Sequence, residues 1–171
     1  MIYLKKANME DALKEYEMIS KMPEDENGMT NPDWGISYEK FAEEALPRMI
    51  RYAQGIGLPE GWVPETHYFL WDDEKIVGLF RLRHYLNDFL RMYHGHIGYA
   101  VKRECRGQGY GSRGLALLLE EGKDVIKEEE FYLSLHKDNP ASLKVQQRNG
   151  ARIVREDETN YYTRISKTDR K

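Results

Sequence analysis

Apolar positions along the chain switch between two periods, and the switches mark the elements. Ile2-Tyr-Leu-Lys-Lys6 reads as a short strand. Asn8 then stands where a helix N-cap belongs, with Asp11 three residues on, and Ala12, Leu13, Tyr16, Ile19 and Met22 follow at helical spacing. The pattern predicts a helix over about residues 9–21, ended by Pro23. The acidic, turn-rich stretch 23–36 predicts a surface loop. Tyr38, Phe41, Ala45, Met49 and Tyr52 fall near one face of a second helix over 37–53, which Pro47 should kink or split. A loop marked by Gly55, Gly57, Pro59 and Gly61 leads into two strands, His67–Trp71 and Ile76–His84, joined by the polar turn Asp72-Asp-Glu-Lys75. Leu86 to Gly95 reads equally as a short helical turn or a bulky loop.

The second half is more sharply patterned. His96-Ile-Gly-Tyr-Ala-Val101 predicts a strand, 102–108 a charged loop, and Gly109 to about Glu121 a helix with Leu115, Leu118 and Leu119 inward. Phe131–Leu135 is an apolar strand. Asn139-Pro140 opens another helix, with Asn as cap and Pro at the first helical position, and Gly150 stops it. Residues 151–155 and 160–166 read as a final antiparallel pair. The order β-α-α-β-β-β-α-β-α-β-β fits one α/β (α+β) domain over 1–171: a mixed, mostly antiparallel central sheet flanked by helices on both faces.

Composition narrows the classes. With 40% hydrophobic and 32% charged residues, the 171-residue chain can build a core of its own. A net charge of −3 and a pI near 6.0 speak against a general nucleic-acid binder. No cationic leader precedes an apolar run and no apolar stretch reaches bilayer length, so no membrane partner and a cytoplasmic location are expected. The single cysteine, Cys105, forbids an internal disulfide and argues against a metal site.

Chemistry concentrates in Arg106-Gly107-Gln108-Gly109-Tyr110-Gly111. Backbone N–H groups can cradle phosphate only where side chains do not block the approach, and a helix starting at Gly109 adds unpaired donors and a dipole that favours an anion. Arg106, with Arg103 and Lys102 upstream, adds positive charge. The P-loop ending Gly-Lys-Ser/Thr is absent. The dinucleotide fingerprint is matched literally by Gly109-x-Gly111-x-x-Gly114, but the charged loop intervenes after the strand. The acidic residue expected about 20 positions on falls at Glu128–Glu130, before the next strand and not after it.

The turn resembles the GNAT superfamily of N-acetyltransferases, whose Gln/Arg-x-x-Gly-x-Gly/Ala signature reads here Arg106-x-x-Gly109-x-Gly111. Its second segment reads Asn139-Pro-Ala-Ser142 followed by Arg148-Asn149-Gly150. Gly57-Leu-Pro-Glu-Gly-Trp-Val-Pro64, Arg81-Leu-Arg-His-Tyr-Leu-Asn87, Gly95-His-Ile-Gly-Tyr99 and Asn149-Gly-Ala151 resemble a bacterial subgroup of predicted acetyltransferases. The resemblance implies direct transfer of an acetyl group from acetyl-CoA to a primary amine of a small molecule or peptide, without a metal. It implies acetyl-CoA contacts from Tyr99, Ala100 and Val101 along the pantetheine arm, Arg106, Gly107, Gln108, Gly109, Tyr110, Gly111 and Ser112 around the pyrophosphate, and Asn139 and Ser142 beside the cofactor. Residues 96–155 then form the acetyl-CoA-binding core, and 1–60 supply helices and loops on the substrate side. A homodimer is compatible with the family.

For the base that takes the amine proton, His96 is preferred because it starts the cofactor strand and titrates near neutrality; His94 and Glu65 are fallbacks. Many family members protonate the departing thiolate with a tyrosine in the last helix, where this chain has Gln146. Tyr161 and Tyr162 are the substitutes, only one of which can face the site. Cys105 as a covalent acyl carrier has no partner histidine nearby in sequence. Glu24, Asp25, Glu26, Asp33, Trp34, Tyr38 and Trp62 would suit a cationic acceptor if they line the site. A non-catalytic acyl-CoA sensor and a dinucleotide-binding enzyme remain as alternatives.

Overall fold

The computed structural model describes residues 1–168. β1 (Ile2–Lys6) and α1 (Ala12–Lys21) lead to a two-residue hairpin, β2 (Asp25–Glu26) and β3 (Met29–Thr30), where the sequence predicted only loop. A helical arm follows: α2 (Tyr38–Lys40), a π-helical turn at Phe41–Ala45 and α3 (Leu46–Ala53). Pro47, in the first turn of α3, has no N–H to return to the preceding turn, and the arm widens there instead of continuing as one regular helix. Then come β4 (Glu65–Asp72), β5 (Lys75–Arg83), α4 (Asp88–Tyr93), β6 (Ile97–Val101), α5 (Tyr110–Gly122), β7 (Glu130–His136), α6 (Pro140–Arg148), β8 (Arg152–Glu156) and β9 (Asn160–Ser166). The ambiguous stretch after β5 is thus helical, because the Asn87 side chain accepts the Leu90 N–H at 2.9 Å and starts α4.

Two antiparallel sheets, β1-β4-β5-β6 and β7-β9-β8, carry the chain. Both faces of the first are buried, which is why β4 and β5 are apolar at nearly every position. Phe69, Trp71 and Leu79 pack under α1 and the helical arm, with Ile19, Phe41 and Leu46. Leu70, Phe80 and Leu82 pack on the other face with Leu115, Leu118 and Leu119 of α5. At Gly114 a Cβ would lie 2.2 Å from Phe80 Cζ, so this position sets how closely α5 approaches β5.

One point joins the two sheets. The His96 N–H donates to the Tyr132 carbonyl at 2.7 Å. Next to it Gly95 takes φ +77°, and a Cβ there would sit 2.1 Å from the same carbonyl oxygen. Beyond this seam no backbone bond links β6 to β7 among the described residues, so the strands diverge toward Val101 and His136 and leave an open wedge. The antiparallel order and this wedge exclude the parallel doubly wound sheet that a dinucleotide fold requires.

Candidate active site

The wedge is the mouth of a cavity of about 590 Å³. One wall is the outer edge of β6. Arg83 N–H bonds the His96 carbonyl at 2.7 Å and Lys102 N–H bonds the Val77 carbonyl at 2.9 Å. By antiparallel alternation Gly98 and Ala100 also face β5, whereas Ile97, Tyr99 and Val101 turn their N–H and C=O groups toward the wedge. A strand edge left open in this way can pair with an amide-bearing chain.

At the far end of the wedge lies the glycine turn. Gly107 and Gly109 take φ +77° and +82°, and nothing lies within 4 Å of where their Cβ atoms would be. The backbone N–H groups of Gly107 through Ser112 find no acceptor among the described residues, and Ser112 Oγ is buried without a partner. Six consecutive donors, an orphaned hydroxyl and the N-terminus of a 13-residue helix form a cradle for an anion. Lys144 and Arg148 of α6 line the same cavity. Arg106 bonds the Val101 carbonyl at 3.1 Å through Nε and pairs with Glu26 of the β2–β3 hairpin. Tyr110 anchors the turn by donating to Asp72 at 2.6 Å. Gln108 is absent from the cavity wall and borders a second hollow with Met1 and Asp72, which leaves its backbone as its contribution to the cradle.

Helix α6 closes the third side. Asn139 Oδ1 accepts the Ser142 N–H at 3.2 Å, as the cap reading expected. Ser142 Oγ lies 2.7 Å from Tyr99 Oη, and the Tyr99 ring stacks on Phe80 with centroids 5.4 Å apart. Burial pushes the Tyr99 phenol up from its usual pKa, against hydrogen bonds to Ser142 and Gln146 that pull it down, so it holds its proton at neutral pH. Gln146 is fully buried and accepts from Thr163 Oγ1 at 2.6 Å.

The acid–base candidates separate sharply. His96 is completely buried. Its Nδ1 accepts the Tyr132 N–H at 2.9 Å, which leaves the proton on Nε2, 2.8 Å from Glu128 Oε2. With both nitrogens engaged and no surface in the cavity, His96 fastens the seam, and its choice as base is corrected on these grounds. His94 is exposed and lines the cavity. Partial burial and then the Arg83 charge hold its pKa below the ordinary value, so the imidazole is neutral at pH 7 and can accept a proton. Glu65 stands 3.4 Å from Arg83 Nε and is not a cavity-lining residue. Tyr162 donates to Asp157 at 2.7 Å under the Arg155 guanidinium, and Tyr161 lies beneath Lys137; neither lines the cavity. Burial, followed by Glu104, pushes the Cys105 thiol up, away from the thiolate an acyl carrier needs.

The acidic and aromatic residues expected at the acceptor end are placed elsewhere. Glu24, Asp25, Trp34, Tyr38 and Trp62 are exposed, and Asp33 is bound by Arg48 at 2.7 and 2.8 Å. Only Glu26 of that set reaches the cavity, already paired with Arg106. The cavity wall carries instead Arg81, Arg83, Met29 and His136, with Gly28 so close to His136 that a Cβ would lie 2.8 Å from Nε2. The signal for the arginines was present: two charges at alternate positions on an otherwise apolar strand face one direction.

An open strand edge running into an anion cradle is what fold and cavity present, and comparison with known proteins gives the class. Residues 33–151 match the model of the Acetyltransferase (GNAT) family, so the chain belongs to that family and is an acetyltransferase by membership. A sequence comparison with curated proteins gives no match. Among solved structures the fold is similar to a probable acetyltransferase (TM-score 0.71, 18% identity, covering 97% of this chain and 93% of that one). It is similar to RimL, a ribosomal L7/L12 alpha-N-protein acetyltransferase in complex with coenzyme A (0.67, 16%, 98% and 96%). It is also similar to the Campylobacter jejuni N-acetyltransferase PseH in complex with acetyl coenzyme A (0.59, 17%, 97% and 99%). No described helix is long and apolar enough to cross a membrane.

Proposed function

We propose that the protein transfers an acetyl group directly from acetyl-CoA to the primary amine of a small molecule. The observation that carries this reading is the continuity of the open β6 edge with the unpaired N–H cradle from Gly107 to Ser112. Acetyl-CoA supplies the acetyl group as a thioester, and its residues of contact are those of β6, the glycine turn, Asn139 and Ser142. Each of these parts suits a different portion of such a molecule: the strand edge an amide-bearing arm, the cradle a pyrophosphate.

The remaining groups supply proton handling. His94, neutral at pH 7 and in the cavity wall, takes the proton that the acceptor ammonium must lose, since an alkylamine with a pKa near 10.4 attacks only when neutral. Tyr99 Oη holds a proton on the α6 side of the wedge, bonded to Ser142 and beside Gln146. It stands in for the helix tyrosine that Gln146 replaces. The N–H groups on the β6 edge are donors available to charge developing on a carbonyl oxygen.

Gln146 also favours a second reading, a sensor that binds acyl-CoA without turnover. Release of free thiol from acetyl-CoA in the presence of a mixture of amines separates the two. Amine-dependent release supports the enzyme. Tight binding with no release above the buffer rate supports the sensor.

A further inference from the structure

The acceptor end of the cavity carries a charge imbalance that points to its ligand. Arg81 and Arg83 share one face of β5, and β4 brings Glu65 and His67 opposite them, in the pairs Glu65↔Arg83 and His67↔Arg81. Burial pushes the His67 pKa down to about 4, so this side chain is neutral, and its buried Nδ1 has no partner. Glu65 is ionised, because the Arg81 and Arg83 charges outweigh the effect of its burial. The group therefore holds two guanidinium charges and one carboxylate.

That carboxylate makes its close ion pair with Arg83, whose Nε lies 3.4 Å from Glu65 Oε2 and whose second nitrogen donates to the Gly95 carbonyl at 2.9 Å, while its charge also acts on Arg81. The neighbouring Asp33 is spent on Arg48. Arg81 is left with no hydrogen bond and no ion pair among the described residues. Its guanidinium lies over Gly98, with Nε and one terminal nitrogen each 3.9 Å from where a Cβ would be, and it opens into the cavity. A half-buried guanidinium with an unused planar fork is costly unless an oxyanion meets it.

We propose that Arg81 binds the carboxylate of the acceptor, so that the substrate is a small amine that itself bears a carboxylate, an amino acid by chemical class. The one net positive charge of the group matches a monoanion better than a dianionic phosphate. Gly98 lies beneath the group, where a Cβ would meet the guanidinium in ordinary van der Waals contact. Arg81 fixes the acid end and His94, on the same cavity wall, receives the proton from the amine end. This assignment rests on the acetyltransferase reading above.

The test compares matched pairs of acceptors with acetyl-CoA by free-thiol release: alanine against ethylamine, lysine against cadaverine, and ethanolamine phosphate as the phosphate arm. The same compounds are titrated against the CoA-loaded protein by thermal stability, which needs no turnover. The native protein is expected to favour the carboxylate-bearing partner about 10- to 100-fold in kcat/KM, the worth of a charged hydrogen-bonded pair. Arg81→Gln should bring that ratio near one, with acetyl-CoA affinity unchanged, and Arg81→Lys should restore part of it. The proposal is overturned by equal or better use of the decarboxylated amines, by a preference for the phosphate arm, or by no stabilisation from any carboxylate-bearing compound. Survival of the preference in Arg81→Gln overturns it too. Failure of acetyl-CoA itself to bind the native protein removes the underlying reading, and the direct titration distinguishes that result from the others.

Discussion

The two ends of the wedge are made in different ways. At the glycine end, six consecutive residues, Gly107 to Ser112, present backbone donors and one helix N-terminus, and side chains contribute mainly by being absent. At the seam end the wall is made of side chains, Arg81 and Arg83 from β5 and His94 from the end of α4, with Glu65 and His67 of β4 paired behind the arginines. A backbone site is a local object, fixed by a short run of sequence. A side-chain site is assembled from distant elements and depends on sheet register for every partner. The first end can be shared across a family while the second is free to change with the substrate.

The largest effect is expected at Gly109. A β-branched side chain is excluded at φ +82°, so Gly109→Val should rearrange the turn and weaken acetyl-CoA binding by more than about 100-fold, measured by calorimetry. At the same wedge, Tyr99→Phe removes a proton and leaves the stack on Phe80 intact. It should lower kcat by about 10²-fold with little change in KM for acetyl-CoA. An unchanged kcat would show that the thiolate leaves unassisted.

His96 and His94 sharpen the contrast between structure and chemistry. His96→Ala strips two hydrogen bonds from the seam and leaves Glu128 without its imidazole partner. It should cost about 2–3 kcal/mol, a fall in Tm of roughly 5–10 °C, without altering the shape of the rate-versus-pH profile. His94→Gln should do the reverse, flattening the acidic limb of that profile with little change in Tm.

The smallest effect expected is one of pH on α1. Glu15 of α1 is fully buried, with one oxygen bonded to the Asn8 N–H and the other unpartnered, and burial pushes its pKa up to about 8. A raised folded-state pKa means stability is complete below the unfolded value near 4.5 and is lost as pH rises through about 8. Melting at pH 6 and pH 8.5 should therefore show native protein losing about 1–2 kcal/mol more than Glu15→Gln across that window.

The same contrast explains what the amino-acid sequence made legible. The glycine turn, the Asn139 cap, the helix after each and the order of strands follow from local spacing, and the structure has them at nearly the expected residues. The β2–β3 hairpin was hidden because two-residue strands leave no period to read. His96 misled because its position at the head of the cofactor strand is visible locally, whereas its burial depends on Tyr132 and Glu128, more than thirty residues away. In sequence Glu128 is only an acidic residue in the wrong place for a dinucleotide site, because its seam partner His96 is distant along the chain. In sequence Arg81 and Arg83 carry a resemblance alone, since their meaning depends on Gly98 and Glu65 across two strand pairings.

The central claim is that the glycine cradle and the open β6 edge together form an acetyl-CoA site. Thermal stability of the native protein, titrated separately with acetyl-CoA, NAD and ATP, addresses it most directly. At about 100 times its dissociation constant, a ligand specific to the folded state adds roughly 2.7 kcal/mol. The account predicts a shift of that size with acetyl-CoA and none of comparable size with the other two. A clear shift with NAD and none with acetyl-CoA would contradict it.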